Sequence, residues 1–213
     1  MGEGRVAAGA DCLRTTREFG RFLRSLPRSD GRLRAQWDMS ELDVQDAGLS
    51  EATMRLATAA DREAIRRLVN AAFGVERRIK RGGGDRLDDD PRELAMLMER
   101  GVFLLREQEG TLIACVYLEL RGERCYLGLL SIEPERQRGG VGRQMMAAAE
   151  TYAREQGAKW VDLRLVSARR EALVPLYERL GYGVQGTAEY PEALAEKMVE
   201  PGHFILMAKP LQR

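Results

Sequence analysis

Beyond Met54 the spacing of apolar positions changes period several times. Residues 54–58 alternate like a strand, whereas residues 60–73 set Ile65, Leu68, Val69 and Ala72 at helical spacing. Residues 75–90 are charged and hold Gly82, Gly83 and Gly84, which predicts a flexible loop. Pro91 then opens a helix over 92–100. Three strands are predicted in quick succession at 102–106, 112–120 and 126–132. Short turns at Glu109-Gly110 and Arg121-Gly122-Glu123 make them an antiparallel meander. A helix over 143–156 closes at Gly157, a strand follows at 160–166, and a helix over 171–180 closes at Gly181. Residues 182–187 and 204–207 complete the set as strands. A meander that passes into strand–helix–strand–helix–strand predicts an α/β fold on a mixed sheet, with no internal repeat.

Residues 1–53 do not share this order. Eight arginines face four acids over 1–37, and residues 38–53 hold five acids and no base. Phe19, Phe22, Leu23 and Leu26 give a short amphipathic turn before Pro27. Two readings stand: a mobile extension, including sequence ahead of a start at Met54, or an Arg-rich targeting presequence, against which its acids count. The division is therefore an extension at 1–53 and one domain at 54–213.

Charge and composition narrow the function. Lys and Arg total 34 against 33 Asp and Glu, a net charge of +1, so no long-range field draws the chain to nucleic acid or anionic lipid. Apolar residues make up 44%, which suits a globular core. No apolar run reaches the roughly 18–20 residues of a membrane span. Cys12, Cys115 and Cys125 show no metal or redox spacing, and His203 is the one histidine, so no metal is expected. A Ser-His-Asp triad built on His203 would need a G-x-S-x-G turn, which is absent.

The densest chemistry lies where the strand at 126–132 passes into the helix at 143–156. Gln137, Arg138, Gly139, Gly140, Val141, Gly142 and Arg143 form a basic, glycine-rich turn after Pro134. Glycines let main-chain N–H groups approach an anion, the helix start adds unpaired donors, and Arg138 and Arg143 supply charge. Such a turn suits a diphosphate. A P-loop would need Lys and Ser or Thr after the last glycine, where Arg143 and Gln144 stand. A G-x-G-x-x-G turn starting at Gly140 would need glycine where Met145 stands.

The remaining pattern, Gln137-x-x-Gly140-x-Gly142, resembles the pyrophosphate loop of the GNAT (GCN5-related N-acetyltransferase) superfamily. Leu176-Tyr177-Glu178-Arg179-Leu180-Gly181-Tyr182 is similar to that family's fourth-helix signature, one helix and one strand further on. The stretches Tyr190-Pro191 to His203-Phe204 and Lys209-Pro210-Leu211 resemble the tail of a bacterial subgroup without an assigned substrate.

The resemblance implies a mostly antiparallel mixed sheet of six or seven strands, with helices on both faces and a splay between strands four and five. In it the pantetheine arm of acetyl-CoA would lie along Leu130, Ser131 and Ile132, with the diphosphate on residues 137–143. A main-chain N–H would polarise the thioester carbonyl. An amine of a small molecule or a protein would attack directly, without an acyl-enzyme. The setting implied is a cytoplasmic monomer or homodimer.

Tyr177 falls on the family tyrosine that protonates the leaving thiolate; the alternative is plain packing beside Leu173, Leu176 and Leu180. Tyr126 stands where some members place a glutamate base. Glu119, within an apolar strand, is the candidate to act through a water; the alternative is a solvent-facing strand residue. His203 is a base, a substrate contact or a structural histidine, and Arg170 replaces a frequent asparagine. Substrate contacts are expected between Phe73 and Arg100, where the family varies. Two rivals are a regulatory module that binds acyl-CoA without turnover and a transferase for another acyl-CoA.

Overall fold

The computed structural model describes residues 52–74, 86–87 and 91–211. The expected extension up to residue 51 and the triple-glycine loop lie outside the described residues. Seven strands form one sheet: β1 (Ala52–Leu56), β2 (Val102–Gln108), β3 (Thr111–Arg121), β4 (Arg124–Ile132), β5 (Trp160–Val166), β6 (Gly183–Glu189) and β7 (His203–Pro210), ordered β1-β2-β3-β4-β5-β7-β6. The helices are α1 (Arg62–Ala72), α2 (Pro91–Arg100), α3 (Val141–Glu155), α4 (Arg170–Glu178) and α5 (Glu192–Ala195). The last was not predicted, because one turn carries too little periodicity to read. Among the described residues no helix is long and apolar enough to cross a membrane.

The first strand begins at Ala52, two residues inside the stretch assigned to the extension. Ala52 and Thr53 pair with Gln108 and Glu107, a long-range partnership that alternation around Met54 does not reveal. Arg55 fastens this strand by donating to both Asp61 oxygens at 2.9 and 2.7 Å and to Glu107 Oε1 at 2.5 Å. Asp61 also accepts from the Thr58 N–H at 2.7 Å, so one carboxylate ties strand end to helix start.

Helices cover both faces. On one, α3 and α4 bury Met145, Met146, Ala149, Ala153, Val174 and Tyr177 against Val116, Leu118, Leu127 and Val161. On the other, α1 and α2 bury Ile65, Leu68, Val69 and Leu94 against Phe103, Leu105 and Tyr117, each large apolar side chain worth about 2 kcal/mol. Asn70 is tied to Leu87. Its amide donates to Leu87 O at 3.0 Å and accepts from Leu87 N–H at 2.9 Å. At the α2–β2 junction Gly101 is required, since a Cβ there would come within 2.2 Å of Leu118 O.

β2 to β4 form the expected antiparallel meander, and β1 adds to it by pairing antiparallel with β2. α3 then carries the chain across to β5, which runs parallel to β4. That pairing lasts for Arg124–Trp160, Cys125–Val161 and Tyr126–Asp162 and then stops, while β4 continues to Ile132 and β5 to Val166. β7 enters between β5 and β6 and pairs with β5 along its whole length. The sheet is therefore splayed on one side of β5 and closed on the other.

Candidate functional site

The splay starts from a bulge in β4. Cys115 pairs with Ser131 and Tyr117 with Gly128, so Val116 faces two residues, Leu129 and Leu130. Leu129 takes the left-handed conformation (φ 49°), at a cost of about 1 kcal/mol for a residue with a Cβ. The fully buried Ser131 hydroxyl secures the kink by donating to Leu129 O at 3.0 Å. Beyond Tyr126 the β5-facing edge of β4 has no strand partner among the described residues, and half-buried Leu130 and Ile132 flank Ser131 there.

β4 ends in a turn at Pro134–Arg136, and the glycine-rich segment follows. Gln137 reaches back to β4 through Nε2, which donates to Ile132 O at 3.2 Å. Arg138 (φ 74°) and Gly140 (φ 85°) both adopt left-handed backbone, turning the chain sharply into α3. Gly142 allows the helix to seat on β4, because a Cβ would come within 2.9 Å of Ile132 Cδ1. Gly139 is exposed, and Val141 is buried as the first apolar contact of α3.

Among the described residues, no acceptor meets the main-chain N–H groups of residues 138–142. No acid stands in the first turn of α3, and Arg138 and Arg143 are exposed beside it. Beneath the turn, Arg106 is buried and donates through Nη1 to Gln144 Oε1. Sequence reading passed over Arg106, whose only signal was a cation set among buried leucines. Unpaired main-chain donors and the positive end of the helix dipole meet at a turn whose first helical residues carry no acid, an arrangement that suits an anion.

The Tyr177 side chain is buried on α4, with its ring edge-on to Tyr182 at 5.9 Å. Burial, and after it the nearby Tyr126 phenol, push its pKa up to about 12. Its hydroxyl meets no hydrogen-bond partner among the described residues. A network behind it fixes its neighbour. Glu150 of α3 accepts from Tyr182 Oη at 3.0 Å and from Lys209 Nζ at 2.6 Å. The Cys115 and Cys125 thiols are buried and pushed up to about 12 by desolvation, far from thiolate nucleophiles; Cys12 lies outside the described residues.

Glu119 pairs with Tyr126 across β3 and β4 and is buried. It accepts four contacts: Arg100 Nη2 at 2.7 Å, Tyr117 Oη at 3.1 Å, and Arg121 Nε and Nη2 at 3.1 and 3.2 Å. Of its two expected settings, solvent-facing and cleft-facing, it has neither in simple form: it is an ion-paired carboxylate beneath Tyr126. His203 is half-buried at the start of β7, where its main-chain N–H donates to Ser167 Oγ at 3.1 Å. Arg170 is exposed at the start of α4. A cavity of about 390 Å³, lined in part by Ser167, Tyr190, Met198 and Gly202, includes none of the predicted site residues.

Comparisons with known proteins bear on the family and the fold. The model of the acetyltransferase (GNAT) family matches residues 62–182. The chain is 36% identical over 101 residues to the uncharacterized N-acetyltransferase YitH of Bacillus subtilis, covering 47% of this chain and 34% of that protein. It is 31% identical over 91 residues to a mycothiol acetyltransferase of Propionibacterium freudenreichii, covering 41% of this chain and 29% of that one. The matches thus span about a third of the length of these relatives. In fold, the chain resembles the ribosomal-protein-S18-alanine N-acetyltransferase of Escherichia coli, with a TM-score of 0.61 and 19% identity over 76% of this chain and 96% of that one. It also resembles yncA of Salmonella typhimurium, solved with its cofactor acetyl-CoA, with a TM-score of 0.58 and 20% identity over 77% and 96% of the two chains.

Proposed function

Because the chain belongs to the acetyltransferase (GNAT) family, we propose that it transfers an acetyl group from acetyl-CoA to an amine, by direct attack in the gap between β4 and β5. The observation that carries this reading is the coincidence of two unsatisfied surfaces. The strand edge at Leu130, Ser131 and Ile132 leads directly into the N–H cluster at residues 138–142. An extended amide-bearing arm ending in a diphosphate matches both at once. Gln137, Arg138, Gly139, Gly140, Val141, Gly142 and Arg143 would hold the phosphates, mainly through the main chain.

Acetyl-CoA supplies the activated thioester. In this reading the Tyr177 phenol, kept protonated by burial, gives its proton to the departing thiolate. Buried neutral cysteines fit a single displacement without an acyl-enzyme. Glu119 acts as the counter-charge that holds Arg100 and Arg121, because its oxygens are already engaged by donors. The reacting unit is read as starting at β1, so removal of residues 1–51 leaves acetyl-CoA affinity unchanged.

The test is titration of the labelled protein with acetyl-CoA. Amide resonances of residues 138–143 should move at saturation, and thiol release should then require an added amine. Unmoved resonances would overturn the assignment of the loop. Binding without thiol release across a broad amine panel would instead indicate a module that holds acyl-CoA without turning it over.

A further inference from the structure

The register places Glu119 and Arg121 of β3, Arg124 and Tyr126 of β4, and Trp160, Asp162 and Arg164 of β5 on one face of the sheet. Arg100 reaches the same group from the end of α2 through Glu119. Among the described residues, four guanidinium groups therefore meet two carboxylates. Arg124 is committed to Asp162, donating through Nε at 2.6 Å and through Nη2. Arg100 and Arg121 share the single charge of Glu119, and among the described residues Arg100 Nη1 is buried without an acceptor. Arg164 is exposed and, among the described residues, has neither an ion pair nor a hydrogen bond; its contact is with the Tyr126 ring.

Tyr126 gathers this excess of charge. Its ring lies 4.7 Å from the guanidinium carbon of Arg121 and 5.9 Å from that of Arg164, one from each neighbouring strand. It is also the last β4 residue to pair with β5 before the strands part. The local surplus of two positive charges thus stands at the mouth of the gap, in a chain whose total charge is +1.

Resting on the acetyl-transfer reading above, we propose that the acceptor is an amine that also carries a carboxylate. That carboxylate docks on Arg164 and Arg121 beside Tyr126, which directs the amine into the β4–β5 gap. A planar guanidinium with free N–H groups is the side chain best suited to hold a carboxylate in two-point contact. β7 sets Leu206 opposite Arg164 and Ala208 opposite Asp162 on the same face, giving a small apolar floor for the atoms between the two groups.

The test compares the twenty common L-amino acids with their carboxamides by calorimetric titration, with and without saturating CoA. Peptides with an acidic amino-terminal residue are a third arm. At least one acid should bind tenfold or more tightly than its carboxamide. Arg164→Gln, which breaks no hydrogen bond within the described protein, should abolish that preference and leave CoA affinity unchanged, while Arg164→Lys should restore part of it. A preference confined to the acidic peptides also supports the anion site and makes a protein terminus its source. Equal binding of acids and carboxamides, no binding by either, or an Arg164→Gln loss shared by both series overturns the proposal. Failure of CoA itself to bind would count against the acetyl-transfer reading instead, and the arm without CoA separates the two.

Discussion

The two sides of the β4–β5 gap work by different means. On the α3 side, the groups offered to a ligand are main-chain N–H donors, presented by left-handed backbone at Arg138 and Gly140 and by the start of a helix. On the sheet face around Tyr126, they are the guanidinium side chains of Arg121 on β3 and Arg164 on β5. Main-chain donors suit a partner whose chemistry is constant, since they tolerate change at almost every side chain. Side-chain charges suit a partner that must be told from others, since each can be altered alone. In the proposed reading, a general grip and a selective one stand on opposite sides of one opening.

Four substitutions test that division, from the largest expected effect to the smallest. Glu119→Gln leaves Arg100 and Arg121 without their counter-charge and should cost about 3 kcal/mol in urea unfolding. Unchanged stability with a lost acidic limb in the pH–rate profile would make Glu119 a base after all. Tyr177→Phe should lower kcat for thiol release about 100-fold with acetyl-CoA affinity intact. A phenol pushed up to about 12 remains the acid form through pH 10, so the wild-type rate should show no alkaline fall from Tyr177 below that point. An unchanged kcat would return Tyr177 to a packing role.

The other two address the main-chain grip. Gly140→Ala places a Cβ on a residue at φ 85°, costing roughly 1–2 kcal/mol. Acetyl-CoA should bind about tenfold more weakly, with acceptor preference unaffected; an altered acceptor preference would show that the two sides are coupled. Arg138→Gly relieves left-handed strain of about 1 kcal/mol but removes a charge. Melting temperature should rise slightly while acetyl-CoA affinity drops severalfold. A gain in both would mean that only the backbone matters at that position.

Much of this was legible in the chain. β5 was predicted at its observed limits, and the meander, the crossover helix and both glycine-closed helix ends follow from local rules. Gly140 and Gly142 marked the turn because their spacing expresses a conformational need that other residues meet poorly. Glu119 was legible as a carboxylate in an apolar strand, but its partner Arg100 is 19 residues away. The entry of β7 between β5 and β6 left no local trace, since hydrophobic alternation reports that a strand has a buried face and not which strand lies beside it.

By itself the sequence determined the period of the longer elements, the glycine-rich turn and the tyrosine on the fourth helix, because each depends on residues within a few positions of one another. Tertiary structure alone decided where β4 and β5 part, which carboxylate faces which guanidinium, and that Arg164 stands beside Tyr126 with no ion pair among the described residues. Those features arise from strand register and from charges that meet across long stretches of chain. Their energies depend on distance in space, which order along the chain does not encode.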